Sequence, residues 1–362
     1  MTNANQRAKP SDVILPHPAG RKPSGGIFEN ILVCVDGSAE SECAVPMGIA
    51  IAVALGSRVT IMRSLETGAV GDKLPPPDAL SWELARSGAA RYLDELRQRL
   101  AARIRSPDGH VPAPAIDTRL EEGHAASRIL ATSRAIGADL IVLGRHGEHG
   151  RRSGSPSGTA VEVVARASCA TLLVPDDCIG NVEPKRLEHV LVPLDGSQRG
   201  ECALAAAVRL VGSFDAELEL MYCLPPVELA GSAAPCAEDL ELVQRLHERN
   251  RRVAQEYLAG LRTRLGGARE VRVSLHEEPL CDELCAPSPR PGADLVVMAA
   301  HGASGSSDRS LGSVAWQAIQ HSPRPLLIVQ DLSPVQMERC ACAGVRRTRA
   351  PRVGNAHFQA SQ

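Results

Sequence analysis

The chain has 362 residues, is 44% hydrophobic and 23% charged, and carries a formal net charge of −2. This balance describes a globular chain long enough for two domains, with no global field drawing it to nucleic acid or to an anionic membrane. Three Phe, three Tyr and two Trp are too few to build a platform on which single-stranded bases stack.

The N-terminal stretch, residues 1–27, is polar and rich in Pro, Gly, Asn and Ser, and is expected to be a disordered tail without a signal peptide. The longest apolar run, Ala44 to Gly56, contains Pro46 and is too short to span a bilayer. Short apolar runs then alternate with helix-length segments, the pattern of βα units around a parallel sheet. Strands are expected near 30–35, 58–65, 115–121, 139–144 and 170–175, with helices near 39–55, 79–104, 124–136 and 158–168. A second set follows, with strands near 188–194, 216–223, 271–276, 294–299 and 325–330 and helices near 199–212, 237–265 and 312–321. The third helix of this set is expected to be one turn at most, because Pro287, Pro289 and Pro291 interrupt it. Residues 332–362 carry five arginines and one acid from 333 onward, and are expected to be a solvated basic tail.

The eleven cysteines include Cys34, Cys169, Cys202 and Cys223 in apolar segments, where they read as small buried hydrophobes. Cys281 and Cys285, and Cys340 and Cys342, lack the spacing and the histidines of a zinc site. A reducing, cytoplasmic compartment is the expectation.

The two sets are copies of one unit. NILVCVDGSAESECAV (30–45) recurs as HVLVPLDGSQRGECAL (189–204), and GADLIVLGRHG (137–147) as GADLVVMAAHG (292–302). Gly158-Thr159 returns as Gly312-Ser313. Three blocks in the same order establish a tandem duplication. The domains are placed at 28–177 and 187–331.

In an open parallel sheet, ligands sit beyond the carboxyl ends of the strands where the strand order reverses. The loop after the first strand carries Asp36-Gly37-Ser38, or Asp195-Gly196-Ser197, and its carboxylate can accept hydrogen bonds from a ribose or a base amino group. The loop after the fourth strand is glycine-rich and feeds a helix whose N-terminus favours phosphate. Arg145, Arg151, Arg152 and Arg309 could neutralise phosphate or stay as solvated loop charges. His146 and His301 occupy equivalent positions with no evident nucleophile beside them, which favours a loop-anchoring role. Ser24-Gly25-Gly26 precedes the first strand rather than following it and is discarded as a phosphate loop.

These blocks resemble the universal stress protein family in its tandem two-domain form, over roughly residues 28–175 and 187–330. ATP-binding members carry Gly, two residues, Gly, nine residues, then Gly-Ser or Gly-Thr. Gly144 and Gly147 open this pattern in the first copy and Gly158-Thr159-Ala160 close it, with ten residues between. In the second copy Gly302 and Gly312-Ser313-Val314 keep the spacing, but Ala299 replaces the opening glycine. The resemblance implies two open five-stranded parallel sheets of order 3-2-1-4-5 with helices on both faces, a Rossmann-like α/β fold of the adenine nucleotide alpha hydrolase type. It also implies Asp36 and Asp195 as adenine contacts, and Ser64 and Cys223 bordering the base. Family members pair through the fifth strand, so the two halves are expected to pack as a pseudo-dimer, with a homodimer of the whole chain as a further expectation.

The resulting expectation is a protein that binds an adenine nucleotide, ATP with magnesium, without fast turnover. The first copy is favoured because both opening glycines survive there. The alternatives are a nucleotide-free pseudo-dimeric scaffold for protein contact and a slow ATP hydrolase using His146 or His301. No P-loop, no dinucleotide-binding glycine fingerprint and no nucleophile elbow is present.

Overall fold

The computed structural model describes residues 27–66, 78–103, 114–147, 156–176, 186–224, 227, 236–265, 271–277, 284, 292–303 and 311–331. The expected tails and most of the proline-rich 278–291 stretch lie outside these residues; Leu284 within it is buried. No described helix is long and apolar enough to cross a membrane.

The first half runs β1 (Asn30–Cys34), α1 (Ala39–Glu42), α2 (Ala44–Leu55), β2 (Arg58–Leu65), α3 (Ala79–Arg103), β3 (Ile116–Glu122), α4 (Ala125–Ile136), β4 (Leu140–Gly144), α5 (Gly158–Arg166) and β5 (Ala170–Val174). The second runs β6 (His189–Leu194), a 3₁₀ turn (Gly200–Cys202), α6 (Ala203–Phe214), β7 (Glu217–Cys223), α7 (Ala237–Leu265), β8 (Val271–His276), β9 (Leu295–Ala299), α8 (Ser313–His321) and β10 (Leu326–Val329). All ten expected strands form. The helix expected over 39–55 is divided at Cys43. Pro46 explains the break: it has no N–H to give and its ring crowds the carbonyl four residues back, so it fits only in the first turn of a new helix.

The two expected sheets are one. The strand order is β3-β2-β1-β4-β5-β10-β9-β6-β7-β8, so each half keeps the 3-2-1-4-5 order and the halves join through β5 and β10. That junction is the antiparallel pairing, with Leu173 opposite Leu326, Leu172 opposite Leu327 and Thr171 opposite Ile328. Every other strand pair is parallel. The apolar runs of β1, β4, β5, β9 and β10 are buried on both faces, as a sheet covered by helices on both sides requires. On one face α2 packs against α6 across the junction, and each face's core draws residues from both halves. The halves therefore share their hydrophobic cores. At this junction Thr171 is fully buried, and its hydroxyl has no hydrogen-bond partner among the described residues.

Candidate functional site

A cleft of about 610 Å³ opens at the carboxyl ends of β1, β2 and β4 in the first half. Its wall takes Val35 and Asp36 after β1, Met62 to Glu66 at the end of β2, Ala125 and Ile129 of α4, Gly144, His146 and Gly147 at and after the end of β4, and Pro156 to Ala160 at the start of α5. Local sequence builds each part. Asp36 closes a turn in which its Oδ1 accepts from Ser38 N at 2.8 Å and Ser38 Oγ at 2.6 Å. Gly37 sits in this turn at φ +95°, a conformation that disfavours a side chain, with the Arg63 guanidinium directly behind it. Gly147 lies so close to the Asp36 carboxylate that a Cβ would collide with Oδ2. Ser157 is the N-cap of α5, its Oγ accepting from Ala160 N at 3.1 Å. The N–H groups of the first helical turn have no partner within the helix, which gives this end its affinity for anions. Gly158 faces open space.

At the other end of the cleft, Ser64 Oγ donates to Gly123 O at 2.8 Å and Glu66 Oε1 accepts from Ala125 N at 2.9 Å, supplying the cap that His124 does not give α4. Arg63 lies over the Tyr92 ring, 5.2 Å from its centroid. Cys34, also on the wall, is buried, and burial pushes its thiol far above the ordinary range, so it stays protonated. Among the described residues no cluster of three or more His, Cys, Asp or Glu could hold a metal.

The second half builds the same turn. Asp195 Oδ1 accepts from Ser197 N at 3.0 Å and Ser197 Oγ at 2.6 Å, and Gly196 has φ +79°. Asp195 Oδ2 accepts from Ala303 N at 2.6 Å and crowds Gly302. The cleft here, however, is only about 90 Å³. Asp195, Ala299, Gly302, Gly312, Ser313 and Val314 line it, and no residue of β7 does. Gly312 is the N-cap of α8 with no side-chain cap bond, so this helix starts one position later than α5 relative to the repeat.

Ala299 is not strained, because neither it nor Gly144 has a positive φ. The glycine at 144 answers crowding instead: a Cβ there would lie 3.0 Å from Glu40 O and from the Ser41 Cα. The repeat places Gly200 where the first half has Ser41. The second half carries the larger residue on β9 and the smaller one on the facing turn.

Two expected site residues lie elsewhere. Arg145 turns away from the first cleft: its Nη1 donates to Ser322 O at 2.6 Å and its Nη2 to Gln320 O, at the end of α8. Helix-end carbonyls, unpaired within the helix and at its negative pole, attract the guanidinium there. Cys223 does not line the second cleft, since β7 ends outside it. Gly37, Ser38, Gly196 and Ser197 shape the aspartate turns without lining either cleft. Arg151, Arg152, Arg309 and the extra loop residue of the first copy lie outside the described residues or beside them.

The histidines are anchors. His146 Nδ1 lies 3.1 Å from Asp176 Oδ1, and His301 Nδ1 lies 2.6 Å from Asp331 Oδ1, with side-chain exposures of 9% and 0%. Each ties the loop after the fourth strand to the residue beyond the fifth. In the second half Arg199 Nε forms a 2.8 Å ion pair with Asp331 Oδ2. The partner in each half is a carboxylate. Sequence reasoning passed over Arg63, Glu66, Ser41 and Ser157. Ser157 alone had a local signal, a serine directly before the helix start.

The universal stress protein family matches residues 28–175 and 186–330. A universal stress protein of Mycobacterium tuberculosis is 26% identical over 305 residues, covering 83% of this chain and 96% of its own. One from Thermus aquaticus is 30% identical over 148 residues, covering 41% of this chain and 99% of its own. Among solved structures, a functionally unknown protein of Pseudomonas aeruginosa superposes with a TM-score of 0.58 at 13% identity, over 87% of this chain and 96% of that one. A universal stress protein of Archaeoglobus fulgidus gives 0.57 at 15%, over 84% and 98%. These two share the fold. With the family matched twice in one chain and two β-α units of the same strand order fused through their fifth strands, the protein belongs to the universal stress protein family and carries two of its domains in tandem.

Proposed function

We propose that the first cleft binds an adenine nucleotide, ATP with magnesium, and that the protein is a nucleotide-responsive regulator rather than a fast enzyme. The observation that carries this reading is the first cleft itself. Its roughly 610 Å³ falls within the range of about 300–1,000 Å³ usual for small-molecule sites. It combines an aspartate turn, two glycines at close approach and a capped helix N-terminus in one concavity. Val35, Met62 and Ile129 offer apolar surface to a base, Ser64 and Asp36 offer acceptors, and the first turn of α5 with Thr159 offers donors to phosphate. Magnesium would be held chiefly by the phosphate oxygens and water, consistent with the sparse protein ligands. Among the described residues that line the cleft no general base is assigned to an attacking water, and His146 is paired with Asp176. Turnover is therefore slow or absent.

The second half serves as scaffold. The cleft bounded by its described residues is about 90 Å³, and the contribution of this half is to complete the shared sheet and cores. Mass spectrometry of the heat-released supernatant of purified protein should find an adenine nucleotide. Millimolar ATP with magnesium should raise the melting temperature while phosphate release stays near background. Empty protein with no thermal shift would remove the nucleotide reading, and rapid phosphate release would remove the non-enzymatic one.

A further inference from the structure

The glycine loop of the first cleft is held partly by the second half. Arg145 stands between Gly144 and His146. Its N–H donates to Val174 O at 2.8 Å, and its carbonyl accepts from Ser157 N at 2.9 Å, the residue that caps α5. Its side chain then crosses the junction to the carbonyls of Gln320 and Ser322. A guanidinium fork can satisfy two such carbonyls at once, which a lysine cannot do with the same geometry. The reverse tie also exists: Gln330, just after β10, donates its Nε2 to Val164 O of α5 at 2.8 Å. Each helix whose first turn lines a cleft is thus gripped near its other end by a side chain from the opposite half. The repeat has Ala300 where Arg145 stands and Pro175 where Gln330 stands, so neither tie has a symmetry mate.

We infer that Arg145 is a positioning residue that couples the first cleft to the C-terminal end of α8, so that ligand binding in the first half is sensed in the second. The coupling has a physical route. A ligand that fixes the Gly144–Gly147 loop fixes the Arg145 backbone, and the fork transmits this to the last turn of α8. Trp316, 37% exposed and one turn before Gln320, is placed to report it. The ligand-dependent part rests on the nucleotide reading above; the tie itself does not.

The experiment uses the full chain with Trp82→Phe, which leaves Trp316 as the remaining tryptophan. Arg145→Ala and Arg145→Lys are compared with the surface control Arg99→Ala. Saturating ATP with magnesium should shift Trp316 emission in the parent and in Arg99→Ala. The shift should vanish in Arg145→Ala, with affinity weakened about five- to tenfold, and return in part in Arg145→Lys. Without ligand, hydrogen exchange should quicken in both 141–147 and 317–324 in Arg145→Ala, and in neither in Arg99→Ala. An ATP-bound parent with silent Trp316, a full shift in Arg145→Ala, or faster exchange confined to 141–147 would each overturn the coupling. If calorimetry finds no ATP binding at all, the nucleotide reading has failed and the exchange measurement alone decides the tie.

Discussion

The first and second clefts are built from the same repeat and differ about sevenfold in volume, roughly 610 against 90 Å³. Both keep the aspartate turn, the second glycine of the loop and the glycine at the helix start. What differs is the far wall. In the first half the end of β2 and the start of α4 extend the cleft; in the second no β7 residue is among the described residues that line it. The residues that mark a phosphate loop are therefore insufficient for a nucleotide-sized site. The extra space of the first cleft lies at the end of β2 and the start of α4.

That contrast can be broken most severely at the helix start. Gly158→Trp adds an indole at a cleft-lining position where a Cβ meets nothing within 4 Å, and should reduce ATP affinity by more than about a thousandfold, whereas Gly312→Trp should leave it unchanged. Equilibrium titration of the two variants decides this. A smaller change is expected from Gly147→Ala. Its methyl must push the Asp36 carboxylate aside, at a cost of roughly 1–3 kcal/mol, which corresponds to about a ten- to hundredfold loss of affinity. Gly302→Ala meets Asp195 in the same way and should lower stability while sparing ATP binding, as paired denaturation and binding curves would show.

Stability should also sharpen the comparison. Glu219 belongs to the second half, where the His189 Nε2 3.0 Å from its carboxylate, above all, aided by Ser274, holds its carboxyl down at about 2 against an ordinary 4.5. A depressed folded-state value adds stability above the unfolded value and loses it as pH falls from about 4.5 through 2. The carboxylate is partly screened, so the expected contribution is about 1–2 kcal/mol. Glu219→Gln should be less stable than the parent at pH 6 and should approach it near pH 2, by urea denaturation at each pH. The smallest effect falls on the junction the halves share. Thr171→Val removes a buried, unpaired hydroxyl at constant shape and should raise stability by about 1 kcal/mol, visible as a higher urea midpoint.

Much of the fold was legible in the sequence because it rests on local patterns. Ten apolar runs gave ten strands, and the repeated Asp-Gly-Ser and Gly-Ala-Asp-Leu blocks set the halves in register. The fusion into one sheet was expected only as pairing through the fifth strand, since a strand does not announce its neighbour. The site divided similarly. Asp36, Gly147, Gly158 and Thr159 were readable from the repeat and the family resemblance, and they line the first cleft. Arg145 was misread because its target, the end of α8, is 175 positions away in sequence and meets it only across the junction. Ala299 has no left-handed backbone, so its methyl brings no backbone strain to the loop.

Calorimetric titration of the full chain with ATP and magnesium, counting sites, tests the central claim most directly. One ATP per chain, lost in Gly158→Trp and kept in Gly312→Trp, is the predicted result. Two equivalent sites, one site abolished by Gly312→Trp, or no binding heat accompanied by no thermal shift would contradict it.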